Sequence, residues 1–254
     1  EAERVQPAEW NFVIGRGANL FRRLSEMPVK LGDVADRIFQ GLVTGADPVF
    51  VLESDPSGLY RSSATGSLHE IESGLMHPLC KGSVNLRRYQ VSALSKCILF
   101  PYRLVSGEGA SLHAPKTMES CYPGAWAYLS ACRSALEERE GGKWRHERWY
   151  AFGRSQNLSE MEQVKVLTPS IAARASYSLD TGEHYYFLGS GGGGGGGYGV
   201  TLKPDYVALG YRALLGLLNS MLLDTYLRRL STPFRGGYYA YNRQYIYLID
   251  IRTI

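Results

Sequence analysis

The chain has 254 residues, 44% of them apolar and 20% charged, which excludes a disordered polypeptide and allows one large domain, or one domain with a subdomain. Its net charge of +4 is compatible with a polyanionic partner without demanding one. The four cysteines (Cys80, Cys97, Cys121 and Cys132) form no C-x-x-C pair and the five histidines are scattered, which argues against a clustered metal site. No signal-peptide pattern is visible, so free buried thiols in a reducing cytosol are expected. The abrupt ends, Glu1-Ala-Glu-Arg-Val and Ile251-Arg-Thr-Ile254, read as those of a piece of a longer protein. Eighteen tyrosines favour a recognition surface, since the ring packs while the hydroxyl stays wet.

In chain order, Glu1 to Met27 is polar sequence with Trp10 and Phe12, followed by a short helix through Leu20, Phe21 and Leu24. From Leu31, residues Val34, Ile38 and Phe39 can form one buried edge. Gln40-Gly41 and Thr44-Gly45-Ala46-Asp47 are turn chemistry, and Val49 to Leu52 reads as a strand. The glycines flanking Thr44 allow a close backbone approach, to a phosphate or to another strand. Ser73 to Ser106 contains no acidic residue; Lys81, Arg87, Arg88, Lys96 and Arg103 alternate with Tyr89 and Tyr102. Such a strip faces either phosphates or solvent. Within it, Lys96 to Tyr102 reads as a buried strand ended by Pro101. Pro123-Gly124 opens an amphipathic helix with Leu129, Cys132 and Leu136 on one face, closing in a solvated acidic end, Glu137-Glu138-Arg139-Glu140.

The densest recognition chemistry lies at Trp149-Tyr-Ala-Phe-Gly-Arg-Ser-Gln-Asn-Leu158. Guanidinium and amide groups read base edges bidentately. The same residues also suit a strand entering a loop, with Trp149 and Phe152 in the core and Arg154 in a salt bridge. Lys165–Ile171 and Tyr185–Leu188 read as strands, the second after an Asp180-Thr-Gly turn. Gly191–Gly197, closed by Tyr198-Gly199, reads as a mobile loop; it is neither a P-loop nor a dinucleotide-binding turn, because no Gly-Lys-Ser/Thr and no helix follow it. Pro204 to about Leu230 reads as one buried amphipathic helix, interrupted by Arg212, Asn219 and Asp224 and therefore not a membrane span. From Arg228 to Leu248 acids are again absent, and Arg235, Asn242, Arg243 and Gln244 lie among five tyrosines around a Gly236-Gly237 turn. The fold expected is α+β: a mixed, curved β-sheet with flanking helices and a long C-terminal apolar helix.

Taken together, Leu31-Gly-Asp, Gln40-Gly-x-x-Thr-Gly-x-Asp-x-Val-Phe50, Leu99-Phe-Pro-Tyr102, Trp149-Tyr-x-Phe-Gly-Arg-x-Gln-Asn-Leu158, Tyr198-Gly199, Leu217-Leu-Asn-Ser220 and Gly236-Gly-x-Tyr occur in an order that resembles the TaqI-like C-terminal specificity domain. That domain is the target-recognition part of N6-adenine DNA methyltransferases and of fused type II restriction–modification enzymes of phage defence. The resemblance runs from about Leu31 to Ile249. It implies that residues 1–30 are a linker and helix after a catalytic domain, and that 31–254 recognise duplex DNA while that domain flips and methylates adenine. On this mapping Arg154, Gln156 and Asn157 approach bases or phosphates, Arg235, Tyr238, Asn242 and Arg243 form a second edge, and Lys81, Arg87 and Arg88 take backbone phosphates. Thr44 and Asp47 fix the first turn. The chain carries no Asn/Asp-Pro-Pro-Tyr/Phe motif, S-adenosylmethionine motif or nuclease motif. It is thus expected to be catalytically silent alone, without cofactor or metal; S-adenosylmethionine, and Mg2+ for cleavage, belong to the catalytic domains. The expected setting is the bacterial or archaeal cytoplasm, away from membranes, with duplex DNA and the upstream methyltransferase domain as partners. Two alternatives remain: a protein-interaction module of a defence methyltransferase complex, and an independent nuclease, against which stands the lack of any nucleophile–base or metal-ligand constellation.

Overall fold

The computed structural model describes residues 17–105, 109–189 and 195–251. Two principal sheets organise them, with no closed barrel among the described residues. The first is four-stranded and antiparallel, in the order Ala35–Gln40, Gly197–Leu202, Lys165–Pro169, Ser178–Asp180. The second has six strands, in the order Tyr186–Phe187, Met76–Cys80, Lys96–Leu99, Val51–Ser54, Tyr60–Ser62, Leu68–His69. Its first pair is parallel and the rest are antiparallel. The expected single curved sheet is therefore two sheets, each over its own core. One core gathers Phe50, Leu99, Phe100, Met118, Leu129 and Phe152; the other gathers Leu31, Val166, Val200, Leu214, Leu218 and Ile249.

Several elements form where the sequence places them. Ala18–Ser25 is a helix, Lys96–Leu99 is a strand ending before Pro101, and Pro123–Ala131 is a helix continued by Arg133–Glu137. Leu129, Cys132 and Leu136 are all buried, as their helical spacing requires. Val34, Ile38 and Phe39 are buried too, Val34 at the end of the helical turn Leu31–Val34 and the other two on the strand that follows it at the edge of the four-stranded sheet. Val49 does not start a strand: Asp47–Phe50 is one helical turn and the strand begins at Val51.

The long apolar helix is not observed. Pro204–Leu209 is 3-10, Gly210 turns the chain at φ +85°, and two α-helices follow, Tyr211–Leu218 and Met221–Leu230. The break has a cause in side-chain hydrogen bonding. Asn219 Oδ1 accepts from the Tyr177 N–H (3.0 Å) and its Nδ2 donates to the Tyr177 carbonyl (2.8 Å), imitating a strand neighbour. Ser220 then caps the next helix by accepting from the Leu223 N–H at 3.2 Å. The helix Met221–Leu230 receives Ala18–Ser25, with the Phe21 and Tyr226 ring centroids 5.0 Å apart, and beyond these helices Lys30 pairs with buried Asp250.

Two further expectations change. Residues 190–194 of the glycine run lie outside the described residues, but Gly197, Tyr198 and Gly199 belong to a central strand rather than a loop. Glycine is needed at 199 because a Cβ there would fall into the Phe39 ring of the neighbouring strand. Among the cysteines, Cys80 and Cys132 are buried, Cys97 is half-buried and Cys121 is exposed, so not every thiol is a core residue.

Candidate nucleic-acid interface

The segment Trp149–Leu158 is held from beneath. Trp149, Tyr150 and Phe152 are buried, and Phe152 meets Phe50 edge-on at 4.9 Å and Tyr102 at 5.2 Å. No strand forms; the chain turns and enters a 3-10 helix, Leu158–Glu162. The clamp is Arg139, which the sequence places in a solvated acidic run. Glu138 and Glu140 are indeed exposed, but Arg139 is buried. Its guanidinium donates to the carbonyls of Leu136 (2.8 Å), Thr44 (3.0 Å), Ala151 (2.9 Å) and Trp149 (2.6 Å), and lies 4.0 Å from the Trp144 ring centroid. Burial lowers its pKa to about 10, so it remains charged at neutral pH.

This clamp joins the Thr44 turn to the segment Trp149–Leu158. The Gly153 N–H donates to the Thr44 carbonyl at 2.8 Å and the Arg154 N–H to the Val43 carbonyl at 3.1 Å. A Cβ at Gly153 would stand 3.2 Å from the Gly45 Cα, so the close approach expected at the Thr44 turn is made by another stretch of the chain. Thr44 Oγ1 bonds Asp47 and accepts from the Ala46 N–H, giving both residues the turn-fixing role expected of them. Arg154 projects outward, 60% exposed, and meets Glu140 at 3.2 Å. Exposed pairs of this kind hold a side chain weakly.

Beyond Arg154 the chain forms one wall of a cleft of about 510 Å3 that runs along the edge strand Ala35–Gln40. Asn157, in a left-handed conformation at φ +61°, builds this wall. Its Nδ2 donates to the Gln40 carbonyl (3.0 Å), and its Oδ1 accepts from Arg37 (3.1 Å), which also pairs with buried Glu160. Gln40 Nε2 in turn donates to the Gly189 carbonyl at 2.8 Å. Arg243 and Tyr247 contribute to the lining from the C-terminal segment, and Tyr198, opposite Gln40 across the strands, contributes from the sheet. Burial raises the Tyr198 pKa, so its hydroxyl stays protonated at neutral pH. Asp36, Gln156 and Arg243 are exposed and their side chains make no hydrogen bond among the described residues.

Three residues singled out in the sequence, Gln156, Asn157 and Arg243, thus meet at one cleft although they come from distant segments. Arg235 and Tyr238 lie apart from the cleft lining, exposed on the hairpin Pro233–Phe234/Tyr238–Ala240, whose turn is made by Gly236 and Gly237 at positive φ. Asn242 precedes the short helix Arg243–Ile246 without capping it, and its Oδ1 is buried without a hydrogen-bond partner. Lys81, Arg87 and Arg88 are also outside the cleft lining. Arg87 donates to the carbonyls of Ser83 (2.6 Å) and Leu86 (3.2 Å), and Arg88 to that of Asn219 (2.6 Å). Each guanidinium keeps further N–H groups for an anion.

Sequence reasoning missed Asp36, Arg37, Gln40, Tyr198 and Tyr247. The one available signal was the charged pair Asp36-Arg37 set between the buried positions Val34-Ala35 and Ile38-Phe39. No group of three or more histidine, cysteine or acidic side chains suited to a metal ion occurs among the described residues. No described helix is long and apolar enough to cross a membrane. Comparison with protein-family models and with curated proteins returns no match.

Proposed function

We propose that this chain is the DNA target-recognition module of a restriction–modification N6-adenine methyltransferase, a parent that can also carry an endonuclease. One observation carries the reading: Gln156 and Arg243, whose side chains make no hydrogen bond among the described residues, reach the same cleft from separate segments. Amide and guanidinium groups on a firm support are what groove recognition needs. Asn157 serves this surface by fixing its wall. Arg154, two residues before Gln156 and weakly held, is assigned to backbone phosphate, with Lys81, Arg87 and Arg88 as outlying phosphate contacts. S-adenosylmethionine and Mg2+ are assigned to the catalytic domains, and no residue of this chain is given to them.

Selection from a randomised duplex pool at two salt concentrations tests the reading. A short enriched site, with affinity falling as salt rises, supports it. Absence of binding at low salt overturns it. A protein-partner module is the second reading, favoured by the apolar groove where Leu20, Phe21 and Leu24 face Met221, Leu222 and Tyr226. Association through that groove would persist at high salt, where phosphate contacts weaken.

A further inference from the structure

The cleft beside the edge strand is a recess as well as a rim that carries polar groups. A recess receives what enters it. Its volume of about 510 Å3 lies within the range of small-molecule sites, roughly 300–1,000 Å3. Tyr247 supplies a supported aromatic surface: a Cβ added at Gly32 would fall inside its ring, so the ring rests on backbone while 42% of the residue stays exposed. Bases stack on such a ring whatever their sequence.

The free polar groups add a preference. Asp36 carries a carboxylate, which only accepts; Arg243 only donates; Gln156 does both. Guanine alone among the DNA bases presents two adjacent donors, the ring N1–H and the exocyclic N2 amino group, to a carboxylate. It also presents two adjacent acceptors, O6 and N7, to a guanidinium. The N1–H is engaged in a Watson–Crick pair, so that edge is available only on an unpaired base. The wall opposite is already fixed by the bonds joining Glu160, Arg37, Asn157 and Gln40, so little ordering remains to be done on binding.

We propose that this cleft binds an unpaired guanine base, stacked on Tyr247 and held at its edges by Asp36 and Arg243. The inference deepens the DNA-recognition reading and rests on it for the source of the base, a nucleotide extruded from the duplex; a free guanine nucleotide offers the same chemistry. The test titrates GMP and AMP into the full chain, followed by protein NMR shifts, and compares a fully paired duplex with one containing a single unpaired guanine. Saturable GMP binding stronger than AMP binding is expected, as is tighter binding of the duplex with the unpaired guanine. Tyr247→Ala should weaken GMP by at least about fivefold, the lower bound for losing one base–aromatic stack, and Tyr247→Trp should retain binding. Asp36→Asn should abolish the preference for GMP over AMP.

Absence of saturable GMP binding, together with no preference for the unpaired guanine, overturns the inference. So does an equal response to GMP and AMP that Asp36→Asn leaves unchanged. GMP binding without preference for the unpaired guanine upholds the pocket with a free nucleotide as its ligand. The paired duplex reports separately: if the chain binds GMP but not that duplex, the target-recognition reading fails and the base pocket stands.

Discussion

Trp149–Asn157 and Tyr238–Tyr247 are composed alike, each an arginine and amide set among aromatic rings, yet they fold to opposite ends. In the first, the aromatics Trp149, Tyr150 and Phe152 are all buried and the backbone is drawn onto Arg139. In the second, Tyr241 alone of the flanking tyrosines is fully buried, its hydroxyl donating to Asp224 at 2.6 Å, while Tyr238 and Tyr247 remain 42% exposed. The first is a foundation from which Arg154 and Gln156 emerge. The second is a surface with one anchor. Tyrosine-rich sequence therefore does not by itself announce a binding face; what lies beneath each ring decides.

The difference between the two regions rests most heavily on Arg139. Arg139→Met takes the guanidinium donor from four carbonyls in a buried setting, of which Thr44 keeps the Gly153 N–H, and a loss on the order of 3–5 kcal/mol in unfolding free energy is expected from urea titration. A loss under about 1 kcal/mol would show that the segment is held by its aromatics alone. Tyr241→Phe removes one hydrogen bond to a carboxylate, worth about 1.5–3 kcal/mol, and should be the largest stability effect of any tyrosine-to-phenylalanine change between residues 238 and 247.

Arg243→Ala separates function from stability. Its side chain, exposed and unpaired among the described residues, should cost less than about 0.5 kcal/mol of stability, while on the proposed reading its loss weakens DNA binding by about 1–3 kcal/mol and relaxes one position of the site. Unaltered affinity and preference would remove the C-terminal segment from the interface.

The first region should also carry an acid sensitivity. His77 is linked to it through Phe100, whose ring lies 5.8 Å from that of Phe152; His77 is edge-on to Phe100 at 5.6 Å and stacked on Tyr186 at 4.2 Å, and burial lowers its pKa below the ordinary 6.5, with His184 acting the same way and Glu162 opposing. Between that lowered value and 6.5 the unfolded chain binds more protons than the folded one. Stability contributed by neutral His77 is thus present above pH 6.5 and is lost as pH falls through this window. Burial shifts His69 and His113 in the same direction. Melting temperatures at pH 7.5 and 5.5 should differ, and His77→Gln should narrow the difference; an unchanged gap would assign it to other groups. The smallest effect is expected at Arg154→Ala: under about 1 kcal/mol of stability, with DNA affinity reduced uniformly across sequences and the salt slope lowered by about one. Relaxed specificity at a single position would instead make Arg154 a base reader.

Local pattern was legible where a single element carries it. The buried face of Leu129, Cys132 and Leu136, the stop at Pro101, the Thr44–Asp47 turn and the Gly236-Gly237 hairpin follow from spacing, fixed φ and turn chemistry, all properties of neighbouring residues. The core positions Trp149 and Phe152 were likewise readable as one of two alternatives for that segment. The break at Asn219 was not legible, because it depends on the backbone of Tyr177, 42 residues away. Nor was the strand at Gly197–Leu202, whose glycines look like a loop until the Phe39 ring occupies the space a Cβ would need. Arg139 reads as one more charge in a solvated run, and only the convergence of four carbonyls makes it a core residue. The cleft belongs to the same class. Sequence alone determined that arginine, amide and tyrosine chemistry concentrates in two segments. Tertiary packing decided which of those groups face one recess and remain free to bind, because hydrogen-bond satisfaction and burial are set by residues distant in sequence.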